Sequence, residues 1–408
     1  MFRLIACIAA GVLIAGGRAA AAPDTVVPEG AAEDSPVYSG YFSSQIQRLR
    51  AEQERYSALA ASGGWPTIPK GPTIRPDTDD PRIAALALRL AASGDLEDKD
   101  ANRAYYDDDL QNAVRRFQAR HGLETDGLVG RGTLRALNVS SEQRLDQIRL
   151  NIERMRSFAD IGGAQFVLVN IAAFRATVIR GGRAIWTTKV IVGEKDKETP
   201  EISSELNSVV FNPTWSVPHS IASEELLPKI KQNFRFFAEG GYQLFDRDGN
   251  RVDPAVVEWS LYSKSNFPFR LVQQAGPANQ LGKIKFMIPN PYSVCMHDTP
   301  ARWLFESANR ALSHGCIRLD DPLSFAAVIL DSEGWTRAEV DSQIDSGITR
   351  TVALKNPLPV YIAYWTVEVD EMGRVHFYND PYDRDAAALE ALDRSVRSDH
   401  HDRPVDRQ

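Results

Sequence analysis

The chain has 408 residues, 43% of them hydrophobic and 25% charged, with a net charge of −7. That length allows two or three domains and at least one sizeable core, and the composition excludes a disordered chain or one dominated by membrane spans. The acidic balance offers no broad basic surface for phosphates, so no nucleic-acid partner is expected.

The first residues, MFRLIACIAAGVLIAGGRAAAAP, set one early arginine before an apolar run from Leu4 to Ala15 and then an alanine-rich stretch. This layout predicts a secretory signal peptide over 1–22, cleaved near Ala19 to Ala22. The run is short for a membrane span, and no later segment is long and apolar enough to form one. A mature protein outside the cytoplasm is therefore expected. Cys7 falls in the apolar run, which leaves Cys295 and Cys316. In an oxidising compartment two cysteines commonly form a disulfide, although a chain with a real core does not need one.

Residues 23–80 are rich in Ala, Pro, Gly and Ser, with one predicted helix in SSQIQRLRAEQERYSALAAS. The stretch GGWPTIPKGPTIRPDTDDP reads as an extended linker along a surface. Over 81–140 the period becomes helical. PRIAALALRLAASGDL has a proline start, Leu110, Val114 and Phe117 make an apolar stripe, and Gly122 ends that helix. Asp126-Gly127 marks a turn, and another short helix begins at Thr133 to Leu137. A small all-α three-helix unit is predicted.

From about Gln165 the period shortens to two. FVLVNI, FRATVI, AIWTTKVIVG, NSVVFN, KIKFMI and YSVCMHD are β-branched or aromatic runs, and Gly181-Gly182 marks a hairpin. Residues 219–270 break this pattern with the helical IASEELLPKIKQNFRFFAEGG, an expected insertion over the sheet. Two helices are predicted after Cys316, then a β-hairpin around Gly373. The reading is a mainly β domain over 164–385, followed by a polar tail over 386–408 that is expected to be loose.

Residues 313–322 read SHGCIRLDDP. A nucleophilic cysteine needs a base, an acceptor that orients the base, and backbone donors for an oxyanion. His314 is two residues before Cys316, whereas His297 opens HDTP at a strand end. Catalytic Cys/His pairs generally meet in space rather than in sequence, which favours His297 as base. Gly315 lets the backbone approach a substrate closely, so that amides around Cys316 could donate to an oxyanion. The plainer alternative makes both histidines satisfied polar groups in turns. Cys295 and His297, two apart in a strand, point to one face and bring a second thiol toward the site.

The stretch HDTPARWLFESANRALSHGCIRLDDP closely resembles the signature of the YkuD-type L,D-transpeptidases, a histidine followed further on by S-H-G-C-hydrophobic-R. The resemblance extends over most of residues 165–385. The helical unit resembles a small peptidoglycan-binding domain through Phe117, Gln118, Gly122, Leu123, Asp126, Gly127, Gly130, Thr133 and Leu134. The order of binding unit and catalytic domain with an inserted lid is similar to that of the large Gram-negative members.

The resemblance implies a β-sandwich catalytic domain with its helical lid at 219–270. It makes Cys316 the nucleophile, His297 the base and the Asp298 carbonyl the acceptor that holds the imidazole. Ser313, His314 and Gly315 would shape the pocket and oxyanion site. Arg318 would either bind a substrate carboxylate or pair with an aspartate such as Asp320. The implied reaction is 3→3 cross-linking of peptidoglycan stem peptides in the periplasm through a cysteine thioester, with release of D-alanine. Its implied partners are stem peptides and glycan, its inhibitors carbapenems, and it needs no metal or organic cofactor. Pairing with an imidazole would lower the thiol from about 8.5 to roughly 3.5–7.5.

The acceptor stays open among a stem peptide, a lipoprotein lysine and a free D-amino acid, and net hydrolysis is not excluded. Cys295 stands where relatives more often carry an aromatic residue, and a bridge to Cys316 would silence the enzyme. Two other functions fit parts of the pattern. One is a wall-binding protein with a silent site. The other is a metallopeptidase with His297, Asp298, His314 and Cys316 as ligands, although their spacings do not match usual zinc patterns.

Overall fold

Among the described residues five helices precede the first strand: α1 (Tyr41–Ala61), α2 (Ile83–Ala92), α3 (Asp108–Arg120), α4 (Arg131–Leu137) and α5 (Ser141–Arg156). The computed structural model describes residues 40–97, 101–159 and 164–401, with side chains as far as 395. The expected signal peptide at 1–22 and the last residues of the tail lie outside the described residues.

The β region opens with β1 (Gln165–Asn170), β2 (Arg175–Arg180), β3 (Arg183–Gly193) and β4 (Ile202–Phe211). The insertion carries β5 (Trp215–Ser216), the short helices α6 (His219–Ile221), α7 (Leu227–Gln232) and α8 (Arg235–Glu239), then β6 (Tyr242–Phe245), β7 (Arg251–Val252) and β8 (Arg270–Gln273). The chain returns through β9 (Ile284–Met287), β10 (Met296–His297), β11 (Ala311–Ser313) and β12 (Ile317–Leu319). It closes with α9 (Pro322–Leu330), α10 (Arg337–Asp345), β13 (Arg350–Ala363), the hairpin β14 (Val367–Val369) and β15 (Val375–Phe377), and α11 (Asp385–His401).

Gly181 and Gly182 both have positive φ, 56° and 76°, the tight hairpin that matches strand twist. It lets β3 run antiparallel to β2 as far as Arg175↔Lys189. Beyond that point β3 still has two usable edges. On the β2 side Val192 N–H donates to Arg310 O and Glu194 N–H to Ser313 O, so β11 continues the edge that β2 leaves. On the other side Asp320 N–H donates to Lys189 O, which attaches β12.

The ladder therefore runs β1-β2-β3-β12-β10-β9-β4-β13 and returns to β1. The expected two-sheet sandwich is in fact one sheet closed on itself, because β3 is long enough to bridge both halves. Closure leaves few open edges. Its interior is a core of Val167, Val209, Phe286, Met296, Ile317 and Leu319 with α9 packed in, where Phe325 meets Phe286 at 4.6 Å and Trp186 at 4.9 Å.

A second core lies outside β1 and β13. There α1 and α5 cover Phe166, Tyr361 and Trp365, and Phe42 stacks on Phe166 at 5.1 Å. Gln45 fixes α1 to the hairpin by exchanging bonds with both backbone groups of Val369, at 2.8 and 3.1 Å. The tail expected to be loose from 386 is helical in α11, tied to α5 by Arg154–Asp385 at 2.7 Å and Arg149–Asp393 at 3.0 Å.

Within 81–140 the described residues carry α2, α3 and α4 around Leu86, Leu90, Tyr106, Leu110, Val114, Phe117 and Leu137. The preceding prolines do not make a free linker. Ile68 and Ile74 are buried in this same core, and Ile74 bridges to Val129. The unit docks on the β domain, where His121 stacks on Phe377 at 5.7 Å and Arg120 reaches Val375 O at 3.4 Å.

The insertion expected to be helical also has a sheet, in the order β5-β8-β6-β7, and its own core of Leu226, Ile230, Phe237, Leu244 and Leu271. It is a small folded lobe rather than a flap.

Because the Phe42 ring is fully buried, Phe42→Ala should cost about 3–5 kcal/mol in denaturant unfolding. A loss below about 1 kcal/mol would mean that α1 does not cover the sheet as described.

Candidate active site

Strands β10 and β12 lie parallel, with Met296 opposite Ile317 and His297 opposite Arg318. Met296 and Ile317 fill the barrel core. Strand alternation then turns His297 and Arg318, with the flanking Cys295 and Cys316, to the opposite face. Two short hydrophobic anchors thus place four chemical side chains together.

The turn into Cys316 is tightly specified. Gly315 has φ +107°, a conformation that favours glycine. Its N–H donates to Ser313 Oγ at 3.1 Å, and Ser313 Oγ donates to Cys316 O at 2.6 Å. Its carbonyl accepts from Thr199 Oγ1 at 2.8 Å, while Tyr382 Oη donates to Gly193 O at 2.8 Å and accepts from Thr199 N–H at 3.1 Å. Gly315 is therefore a turn-former whose own amide is spent. Among the described residues the Cys316 amide has no protein partner and is the available oxyanion donor.

His297 is buried, and its Nδ1 meets the Asp298 carbonyl. A carbonyl only accepts, so Nδ1 carries the hydrogen and Nε2 the lone pair. Burial first, and then the Arg318 charge, hold this imidazole down to about 3, against the pull of the Asp298 carbonyl. The ring is thus neutral at pH 7. The Asp298 carboxylate accepts from Lys283 N–H at 2.8 Å and faces Arg302 at 3.3 Å. Gly282 passes so close that a Cβ there would stand 2.3 Å from Asp298 Oδ2.

The two thiols are free and their sulfurs lie 3.3 Å apart. Cys295 N–H also points at Cys316 Sγ, at 3.4 Å. The Cys295 thiol hydrogen bond draws Cys316 down to about 7; burial opposes this, and the Cys295 amide, Lys285 and Arg318 add to it. The same bond and burial push Cys295 well up. Cys316 is the thiolate of the pair and Cys295 its donor. The lowering expected from pairing with an imidazole comes here first from the Cys295 thiol, beside a neutral His297.

The other site residues divide clearly. His314 turns away from Cys316 onto Glu225 of the inserted lobe, which also faces Lys197 at 3.5 Å. Arg318 does not pair with Asp320, whose carboxylate is taken by Arg302 at 2.9 Å. Its buried Nε has no partner among the described residues. The four-ligand metallopeptidase set is not assembled, since His314 and the Asp298 carboxylate are engaged elsewhere.

Sequence reasoning missed Thr199, Tyr382 and Lys285, which reach the site from three distant segments. Lys285 lies opposite His297 in the β9–β10 register, a pairing that only the structure shows.

Residues 164–353 match the family model described as the L,D-transpeptidase catalytic domain, YkuD, and residues 79–137 match a model described as "putative peptidoglycan binding domain". Residues 164–353 are thus similar to a YkuD-type L,D-transpeptidase catalytic domain, and the helical unit before them is similar to a peptidoglycan-binding domain. It is similar to a Haemophilus influenzae protein named "Putative L,D-transpeptidase", at 35% identity over 232 residues, 57% of this chain and 47% of that protein. The chain thus spans about half the length of the curated relative it matches.

Among solved structures, the L,D-transpeptidase of Stackebrandtia nassauensis aligns at 14% identity over 71% of this chain and 97% of its own, with a TM-score of 0.26. One from Mycobacterium smegmatis aligns at 14% identity over 49% and 59%, with a TM-score of 0.24.

Alkylation of Cys316 by iodoacetamide should show a midpoint near pH 7, since the thiolate is the reactive form. Cys295→Ala removes the donor, so the midpoint should move up toward the ordinary thiol value of about 8.5. An unchanged midpoint would refute the assigned cause.

Proposed function

We propose that the protein forms 3→3 cross-links between peptidoglycan stem peptides through a thioester on Cys316. The observation that carries this reading is the juxtaposition of a partly ionised Cys316 with a neutral His297. The ring is oriented by Asp298 O, and its nitrogen lies within 4.8 Å of the sulfur.

In this reading the Cys316 thiolate attacks the carbonyl at the L-centre of diaminopimelate in a donor tetrapeptide. The Cys316 amide meets the developing oxyanion, and the D-alanine nitrogen leaves with a proton delivered from solvent through His297 Nε2. A side-chain amine of a second diaminopimelate then attacks the thioester, gives its proton to His297 Nε2 and frees the sulfur. The low basicity of His297 suits a group that only relays protons, since the thiolate already has other stabilisers. Arg318, half-buried and with its Nε unpartnered among the described residues, holds a stem carboxylate. The inserted lobe, latched by His314 to Glu225, excludes water so that amine rather than hydrolysis takes the thioester. The helical unit holds wall glycan, a role supported by its family match. No metal takes part.

Export to the periplasm belongs to the same proposal, because the substrate lies outside the cytoplasmic membrane. Carbapenems, as strained acyl donors, would acylate the same sulfur.

Incubation with purified disaccharide-tetrapeptide should yield, by mass spectrometry, a dimer lighter by one D-alanine molecule than two monomers. Cys316→Ala should abolish it, and His297→Ala should slow it by roughly 10²–10⁴-fold. Dimer made by folded Cys316→Ala would refute the proposal, and tripeptide as sole product would replace transfer by hydrolysis.

A further inference from the structure

Cys295 Sγ, Cys316 Sγ and a ring nitrogen of His297 lie within 4.8 Å of one another, yet the reaction above needs only two of these groups as nucleophile and base. We propose that the three form a binding site for a thiophilic divalent cation of the Zn²⁺ type, which seats reversibly between the sulfurs and masks the nucleophile. Its inhibitory consequence rests on the reading of Cys316 as nucleophile; the binding itself does not.

The donor set fits such an ion. Two thiolates and one imidazole are a soft, nitrogen–sulfur set of the kind that zinc prefers over the hard oxygen-bound cations. Zn–S bonds of about 2.3 Å at a tetrahedral angle place two sulfurs roughly 3.8 Å apart. The sulfurs here are 3.3 Å apart, so they need to part only by about half an ångström. Both cysteines directly precede paired strands whose next residues, Met296 and Ile317, are register partners anchored in the core. His297 follows two residues after Cys295 on the same face. The ligands are therefore gathered by the sheet before any ion arrives.

The histidine is also set as metal-binding histidines are. Its Nδ1–H is held by a backbone carbonyl, which fixes the tautomer and leaves Nε2 with the free lone pair. Each thiol that enters protonated gives its proton to solvent, so two thiolates balance the dication and the buried site gains no net charge. Cys316 is only partly buried, which leaves a fourth position for water. This set differs from the metallopeptidase ligands considered above. His314 and the Asp298 carboxylate take no part, and Cys295 supplies what they do not.

The test uses reduced, chelator-treated full-length protein. Titration with Zn²⁺ against a chromophoric chelator should give one tight site per chain. Cys295→Ser and, separately, His297→Gln should each weaken it at least about tenfold, with folding checked by circular dichroism. Co²⁺ in place of Zn²⁺ should give a near-ultraviolet thiolate charge-transfer band that Cys295→Ser diminishes and Cys316→Ser diminishes further. Absence of saturable uptake, uptake unaffected by folded Cys295→Ser, or a cobalt spectrum without the thiolate band would each overturn the proposal. Because binding is read without turnover, a chain that cross-links but takes no zinc sinks this inference alone. A chain that takes zinc but never cross-links sinks only the reading of function.

Discussion

The parallel pairing of β10 with β12 is the constraint on which the site depends. Each strand is only two or three residues long, too short to hold a position by its own hydrogen bonds. What fixes them is burial of Met296, Ile317 and Leu319 in the barrel core, with β9 and β3 on their outer edges. Once those apolar residues face inward, the pleat leaves Cys295, His297, Cys316 and Arg318 on the other side. A register slip of one residue would exchange the two sets and destroy the site and the core together. The chemistry is thus tied to global stability and not to a mobile loop.

Charge at this site is arranged by neighbours. A buried imidazole beside an arginine is a poor cation, so His297 stays neutral while Cys316 ionises. The stabilising groups are a thiol, an amide and two cations at a distance, and the thiol comes from Cys295. The second cysteine, readable beforehand only as an idle neighbour or an inactivating bridge, is a working donor in the reduced protein.

Much of the fold was legible because β-branched runs are hard to mistake. FVLVNI, FRATVI and AIWTTKVIVG became β1, β2 and β3, and the Gly-Gly signal became their hairpin. The run YSVCMHD gave only two strand residues. The Asn290 side chain bonds the amides of Tyr292 and Val294, at 3.0 and 3.1 Å, and bends the chain before the strand begins. Helix α5 went unread although Ser140 and Gln143 form a capping box at its start, a local signal that was there to be used. The sheet in the insertion and the burial of Ile68 and Ile74 were not legible, because both depend on tertiary partners. In the site, Cys316 and His297 stood out by motif. The pairing of Arg318 with Asp320 was not to be judged from sequence, because Asp320 is held by Arg302, a residue with no motif.

The account stands or falls on whether Cys316 is the group that takes an acyl chain. Intact-protein mass spectrometry after incubation of the reduced chain with a carbapenem, followed by peptide mapping, asks this without any assumption about the acceptor. The account predicts one adduct per chain, on the peptide containing Cys316, and none on Cys295 or in Cys316→Ala. No adduct under reducing conditions, or an adduct on another residue, would contradict it.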